Sequence, residues 1–154
     1  MKQPVRKDIR LKGWDYSNRS CYHVTVCTHE GRLLLSTISD DTYSVELTDI
    51  GECVQQAIEQ AQLRYPSVLV ENHVIMPNHI HLLLAIDECD VTLGRFMGFM
   101  KSYATRSVRK THPGIVLWQR NYYDRIIRKD EDFFEVWKYI DENPIKWASD
   151  DYYA

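Results

Sequence analysis

Two histidines one residue apart, His79 and His81, and a tyrosine and an asparagine four residues apart, Tyr139 and Asn143, are the groups in this chain whose types and spacing invite chemistry. Side chains alternate faces along a strand, so His79 and His81 project from one face and Ile80, Leu82 and Leu84 from the other. Two such imidazoles, roughly 7 Å apart at the backbone from the ~3.3 Å rise per residue, can converge on one metal ion. An arbitrary His-x-His in a strand is more often a pair of satisfied, half-buried histidines. Residues four apart in a helix share a face, which puts Tyr139 and Asn143 one turn from each other. A tyrosine hydroxyl beside a metal-bound phosphate can lose its proton and attack phosphorus, while a nearby amide oxygen completes the metal's coordination. Taken singly, Tyr139 next to Trp137 and Ile140 reads as core, and Asn143 before Pro144 reads as a helix stop.

The elements that must hold these residues follow from hydrophobic period. Tyr22, Val24 and Val26 alternate with Cys21, His23, Thr25 and Cys27, which predicts a strand over 20–28. After the turn signal Glu30-Gly31, the pieces 33–36 and 43–47 flank Ser39-Asp40-Asp41 and suggest a weak hairpin. Thr48 or Asp49 opens a helix with Ile50, Cys53, Val54, Ala57, Ile58 and Ala61 on one side, ending before Pro66. Segments 68–76 and 79–86 read as strands joined through Pro77-Asn78 into an antiparallel hairpin. Thr92 is the expected N-cap of a second helix reaching toward Pro113-Gly114, 122–128 is the last strand, and Asp130 is expected to cap a third helix ending at Asn143-Pro144. Strands interleaved with helices and joined by hairpins imply an α+β fold, an antiparallel sheet covered by helices, in a single domain over 1–154 with a basic N-terminal arm over 1–19.

Composition narrows the class. An apolar share of 44% with 27% charged residues is that of a folding globular chain rather than a disordered one. The basic start carries no apolar h-region, and no apolar run nears the ~18–20 residues needed to span a bilayer, so the expectation is a soluble, cytoplasmic protein without a membrane partner. Cys21, Cys27, Cys53 and Cys89 form no Cys-x-x-Cys pair and read as reduced thiols. The net charge of −3 conceals segregation. Residues 95–129 hold nine Lys or Arg against Asp124 alone, a balance of +8, and residues 1–19 hold six bases against two acids, +4; the remaining 100 residues therefore sum to −15. Such a chain can turn a basic face to a polyanion. The candidate DNA contacts are Arg10, Lys12, Lys101, Arg106, Arg109, Arg120, Arg125 and Arg128, with Trp118, Tyr122 and Tyr123 as stacking surfaces for unpaired bases. Any one charge run alone also fits a solvated helix face, and one of Tyr122 and Tyr123 fits the core.

The stretch Val74-Ile75-Met76-Pro77-Asn78-His79-Ile80-His81-Leu82-Leu83 resembles the HUH motif of the single-tyrosine transposases, the bacterial insertion-sequence class and its REP-associated relatives. Three further stretches resemble the same family in the same order: 9–16, 118–128 and Tyr139-Ile140-Asp141-Glu142-Asn143-Pro144. The resemblance implies a ferredoxin-like (RRM-like) sheet, a divalent metal, Mg²⁺ or Mn²⁺, and cleavage of single-stranded DNA at a hairpin through a 5′-phosphotyrosine. It assigns the metal to His79, His81 and Asn143 and the nucleophile to Tyr139. Asn143 followed by Pro144 is similar to the REP-associated branch, where insertion-sequence transposases usually carry Gln.

Other readings remain at this level. A histidine-triad nucleotide hydrolase would need a third histidine where Leu83 stands. A domesticated relative could bind hairpin DNA without cutting it. A homodimer, with Tyr139 acting in cis or in trans, is compatible with the same residues.

Overall fold

Val24 and Val26 lie in the apolar core while Cys21 faces the opposite way, the alternation expected of the first strand, β1 (Ser20–Cys27). A computed structural model of the protein describes residues 19–150, 152 and 153, so the basic arm, with Arg10 and Lys12, lies outside the described residues. β1 is followed by a small hairpin of β2 (Ser36–Ile38) and β3 (Val45–Leu47), shorter than expected and starting at Ser36 rather than Leu33. Then come α1 (Asp49–Arg64), β4 (Val68–Ile75), β5 (His79–Ile86), α2 (Leu93–Thr111), β6 (Tyr123–Ile127) and α3 (Asp130–Glu142).

The main sheet has the order β4-β5-β1-β6, antiparallel throughout, and with the hairpin set aside the chain runs β-α-β-β-α-β. This is the ferredoxin-like arrangement expected for the chain. β5 is interior, and all eight of its residues are buried. Its even-numbered residues Ile80, Leu82, Leu84 and Ile86 pack with Val54, Ala57, Ile58 and Ala61 of α1 and Phe96, Met97 and Met100 of α2. Leu83 and Ala85 face the other way and join Phe133, Val136 and Ile140 of α3. The sheet thus lies between two helices on one face and one on the other. Burying each such leucine contributes roughly 1.5–3 kcal/mol.

Local chemistry sets the helix ends. Thr48 caps α1, its Oγ accepting from Gly51 N at 3.0 Å and its hydroxyl donating to the Leu34 carbonyl at 2.6 Å. Leu35 crosses so close that a Cβ on Gly51 would stand 1.9 Å from the Leu35 carbonyl oxygen. Thr92 caps α2 in the same way, accepting from Arg95 N at 3.2 Å. Asp130 is not the cap of α3: Lys129 occupies that position with no side-chain cap, and Asp130, Glu131 and Asp132 fill the first turn instead. Their negative charges stabilise the positive end of the helix dipole without a formal cap.

Gly51→Ala should cost about 1–3 kcal/mol, because the new methyl meets backbone rather than a flexible side chain. Thr48→Ala should cost about 1 kcal/mol through the lost cap. Urea unfolding of the two variants tests this; a Gly51→Ala protein as stable as the parent would mean that the Leu35 crossing is loose.

Candidate active site

Period two along β5 places His79 and His81 on the α3 face, buried at 0% and 2% exposure. Their rings stand 4.9 Å apart, nearly perpendicular. The buried face of α3 is set by Phe133, Val136 and Ile140, and one turn beyond Val136 the same rotation brings Tyr139 beside the histidines. The Tyr139 ring lies 5.2 Å from that of His81, and the residue remains 41% exposed on the lining of an open cavity. Asn143, the residue following α3, is 2% exposed. β4 holds the helix in register: at the bulge between Val70 and Asn72, the Asn72 amide donates to the Trp137 carbonyl at 3.2 Å and to Asp141 at 3.0 Å. The four residues singled out from the sequence therefore come together, from two elements about sixty positions apart.

Three buried atoms in this cluster have no hydrogen-bond partner: Nε2 of His79, Nε2 of His81 and Oδ1 of Asn143. Buried polar atoms are nearly always paired, and a group of three without partners points to something that the protein binds. The donor set suits a divalent cation: neutral imidazole nitrogen and amide oxygen are both established metal ligands. Among the described residues no cluster of three His, Cys, Asp or Glu side chains offers an alternative seat.

The ring of His79 is oriented by its neighbour. Asn78 donates through its amide nitrogen to the carbonyls of Gly31 at 3.3 Å and Tyr152 at 2.7 Å, so its oxygen is left to accept from His79 Nδ1 at 2.9 Å. His79 then carries its hydrogen on Nδ1 and presents a bare Nε2. Tyr152 also lays its ring 4.4 Å from that of His79, with Trp147 at 6.1 Å, covering the seat from the C-terminal side.

Electrostatics keep these imidazoles neutral. Burial lowers His79 to about 4, with Asp150 and Asn143 acting in the opposite direction. Asn143 thus lies near enough to favour a charged His79, although the pair lacks the geometry of a hydrogen bond. His81 falls to about 2, through burial first and then the neighbouring His79 and His23. His23, on β1, is lowered to about 4 by burial and by Arg125.

His23, Thr25, Asn78 and Tyr152 are site neighbours that the sequence reading missed. For His23 and Thr25 the signal was present in the alternation of β1, which puts both on the face opposite Val24 and Val26.

The candidate DNA contacts divide between faces. β6 pairs Tyr123 with Thr25 and Arg125 with His23, so both side chains share the face of the site. Arg125 lines a cavity of about 320 Å³ with His23, Asp132, Glu135, Val136 and Tyr139. Tyr123 is 64% exposed, whereas Tyr122 packs against the α1/α2 core. Arg120 borders a separate cavity of about 480 Å³ with Tyr122 and Tyr123, and Arg128 is exposed just past β6. Arg106 and Arg109 line a third cavity, of about 550 Å³, along α2. Lys101 also borders it, but its ammonium donates to the carbonyls of Gln119 at 3.2 Å and Asn121 at 3.1 Å and so tethers that loop. Trp118, expected as a stacking surface, is only 8% exposed and bridges to Thr28. None of the four cysteines is joined in a disulfide, and no helix among the described residues is long and apolar enough to cross a membrane.

The lowered histidines make stability depend on acid. Below about pH 6.5 the unfolded chain binds protons that the folded chain refuses, so stability should be level above about pH 7 and fall as the pH drops from 6.5 toward 4. Melting curves in chelator across this range test it. The fall should be shallower in a His79→Gln/His81→Gln protein, and an equal fall in both would assign the acid sensitivity to other groups.

Comparison with known proteins bears on the family and the fold. A protein of Haemophilus influenzae without an assigned function is 31% identical over 170 aligned positions, covering 97% of this chain and 93% of its own. A second protein of that organism, named as a REP-associated tyrosine transposase, is 28% identical over 77% of this chain and 73% of its own. Among solved structures, a REP-associated tyrosine transposase bound to a REP hairpin superposes with a TM-score of 0.66 at 20% identity, covering 89% of this chain and 73% of that one. A Deinococcus radiodurans protein described as a transposase superposes with a TM-score of 0.57 at 16% identity, over 86% and 97% of the two chains. The sequence profile of IS200-like transposases matches residues 17–143, a span that runs from β1 to Asn143 and contains His79, His81 and Tyr139. The chain belongs to the IS200-like transposase family.

Proposed function

We propose that this protein nicks and rejoins single-stranded DNA at hairpin or repeat sequences, using Tyr139 as nucleophile and a divalent cation, Mg²⁺ or Mn²⁺, held by His79 Nε2, His81 Nε2 and Asn143 Oδ1. The observation that carries the reading is the trio of buried, unpartnered ligand atoms beside a solvent-open tyrosine. Family membership supports a transposase-type reaction, and the relative bound to a REP hairpin supports hairpin DNA as the substrate class.

The cation would neutralise charge on the non-bridging oxygens of the scissile phosphate. The chain's own residues do the rest. Tyr139 Oη forms a bond to phosphorus as the P–O3′ bond breaks, leaving a 5′-phosphotyrosine and a free 3′-hydroxyl; the phenol's proton passes to solvent and O3′ takes one up. Attack of another 3′-hydroxyl on the phosphotyrosine reverses the step and joins strands. Arg125 and Tyr123, on the same face, would hold a phosphate and stack an unpaired base of the strand entering the site. Arg106, Arg109, Arg120 and Arg128 would engage phosphates farther out. A homodimer is compatible with this chemistry, since Tyr139 could serve its own seat or a partner's.

Incubation with labelled hairpin DNA in Mn²⁺ or Mg²⁺ should give a covalent protein–DNA band that chelator abolishes. Tyr139→Phe should remove the band while leaving DNA affinity within about twofold. If hairpins bind but no adduct forms with either metal, the protein is a hairpin-binding relative without cleavage. Replacing His79 and His81 together by Ala should abolish the adduct and calorimetric Mn²⁺ binding alike; unchanged Mn²⁺ binding would place the metal elsewhere.

A further inference from the structure

His81 differs from His79 in what holds it. His79 Nδ1 meets the amide oxygen of Asn78, which can only accept. His81 Nδ1 lies 3.0 Å from His23 Nε2 and 3.0 Å from Thr25 Oγ1. Both partners can donate or accept, so neither by its type alone decides which nitrogen of His81 carries the hydrogen. The choice matters, because only an Nδ1–H ring offers a lone pair at Nε2.

The surroundings break the tie. With its hydrogen on Nε2, His81 would bury an N–H that has no partner; with it on Nδ1, the buried group is a lone pair, which a cation satisfies. His23, by contrast, borders the cavity beside Tyr139, so its second nitrogen has room for water. The pair is therefore best satisfied when His81 Nδ1–H donates to His23 Nε2 and His23 keeps its own hydrogen on Nδ1. Thr25, whose hydroxyl rotates, serves either arrangement and selects none.

We infer that His23 is a positioning residue for the site: its Nε2, 3.0 Å away, accepts from His81 Nδ1–H and fixes the orientation of that ring, which leaves the Nε2 lone pair for the proposed cation. This rests on the metal seat proposed above. Register explains why the contact exists. β1 pairs Thr25 directly with His81 and His23 with Leu83, so His23 reaches His81 along the diagonal of the same face.

Two readouts test it without relying on cleavage. Long-range ¹H–¹⁵N spectra of the metal-free protein should show His81 with its hydrogen on Nδ1 and His23 likewise, and His23→Ala should shift and broaden the His81 Nδ1–H signal as the ring loses the acceptor that orients it. Calorimetric Mn²⁺ affinity should drop roughly 10–100-fold in His23→Ala, the range typical of lost partners to metal-bound histidine. His23→Gln, which keeps an acceptor, should recover most of it, and Thr25→Val should cost less than His23→Ala. An Nε2–H form of His81 in the parent protein, an unchanged Mn²⁺ affinity in His23→Ala, or a loss confined to Thr25→Val would overturn the inference. If the parent protein takes up no Mn²⁺, the metal seat itself fails, and the spectra of the metal-free protein still decide whether His23 orients His81.

Discussion

β5 lies between two apolar layers, and the site exists because two of its eight buried residues are imidazoles. A strand covered on both faces ordinarily reads as an unbroken aliphatic run, since any polar group there loses its water. On the α3 face of β5 the character changes along the strand: His79 and His81 at the start, Leu83 and Ala85 after them. α3 answers both halves. Phe133, Val136 and Ile140 seal the apolar half, and the C-terminal end of the helix brings Tyr139 and Asn143 over the polar half. The energy of a small hydrophobic core thereby fixes the separation between candidate ligands and candidate nucleophile.

Desolvation and hydrogen bonding then set the state of the rings. Burial makes protonation of His79 and His81 unfavourable, and Asn78 orients the first of them. The proposed ligands are two neutral imidazoles and a neutral amide, so a cation held there would retain its full charge toward a phosphodiester, unlike one neutralised by carboxylates. Asp150 is the acid that acts on His79, while Asp132 and Glu135 line the open cavity beside Tyr139.

Charge is distributed over more than one surface. Arg125 and Tyr123 stand on the site face because β6 is in register with β1, while Arg106 and Arg109 belong to α2 on the far side of the sheet. A strand of DNA running from one to the other would have to pass the edge formed by β6 and the 119–121 loop, which Lys101 tethers. The basic stretch in the sequence is thus divided by the sheet into residues beside the candidate site and residues remote from it.

Much of this was written locally. Period two in 20–28 and 79–86, the caps at Thr48 and Thr92, and the i, i+4 spacing of Tyr139 and Asn143 are properties of short segments, and each appeared where expected. The strand alternation even determined that His79 and His81 share a face. Where the local signal was ambiguous, neighbours decided: Asp130 looked like a cap but became the first helical residue, and Trp118 looked like a stacking surface but was drawn under the bridge to Thr28. The partnership of His23 with His81, the turning of Lys101 toward carbonyls, and the division of Tyr122 from Tyr123 depend on pairing between segments far apart in the chain. Side-chain period is a property of consecutive residues and can be read from them, whereas strand register and the docking of α3 are set by the burial of whole faces at once, which only the assembled fold can determine.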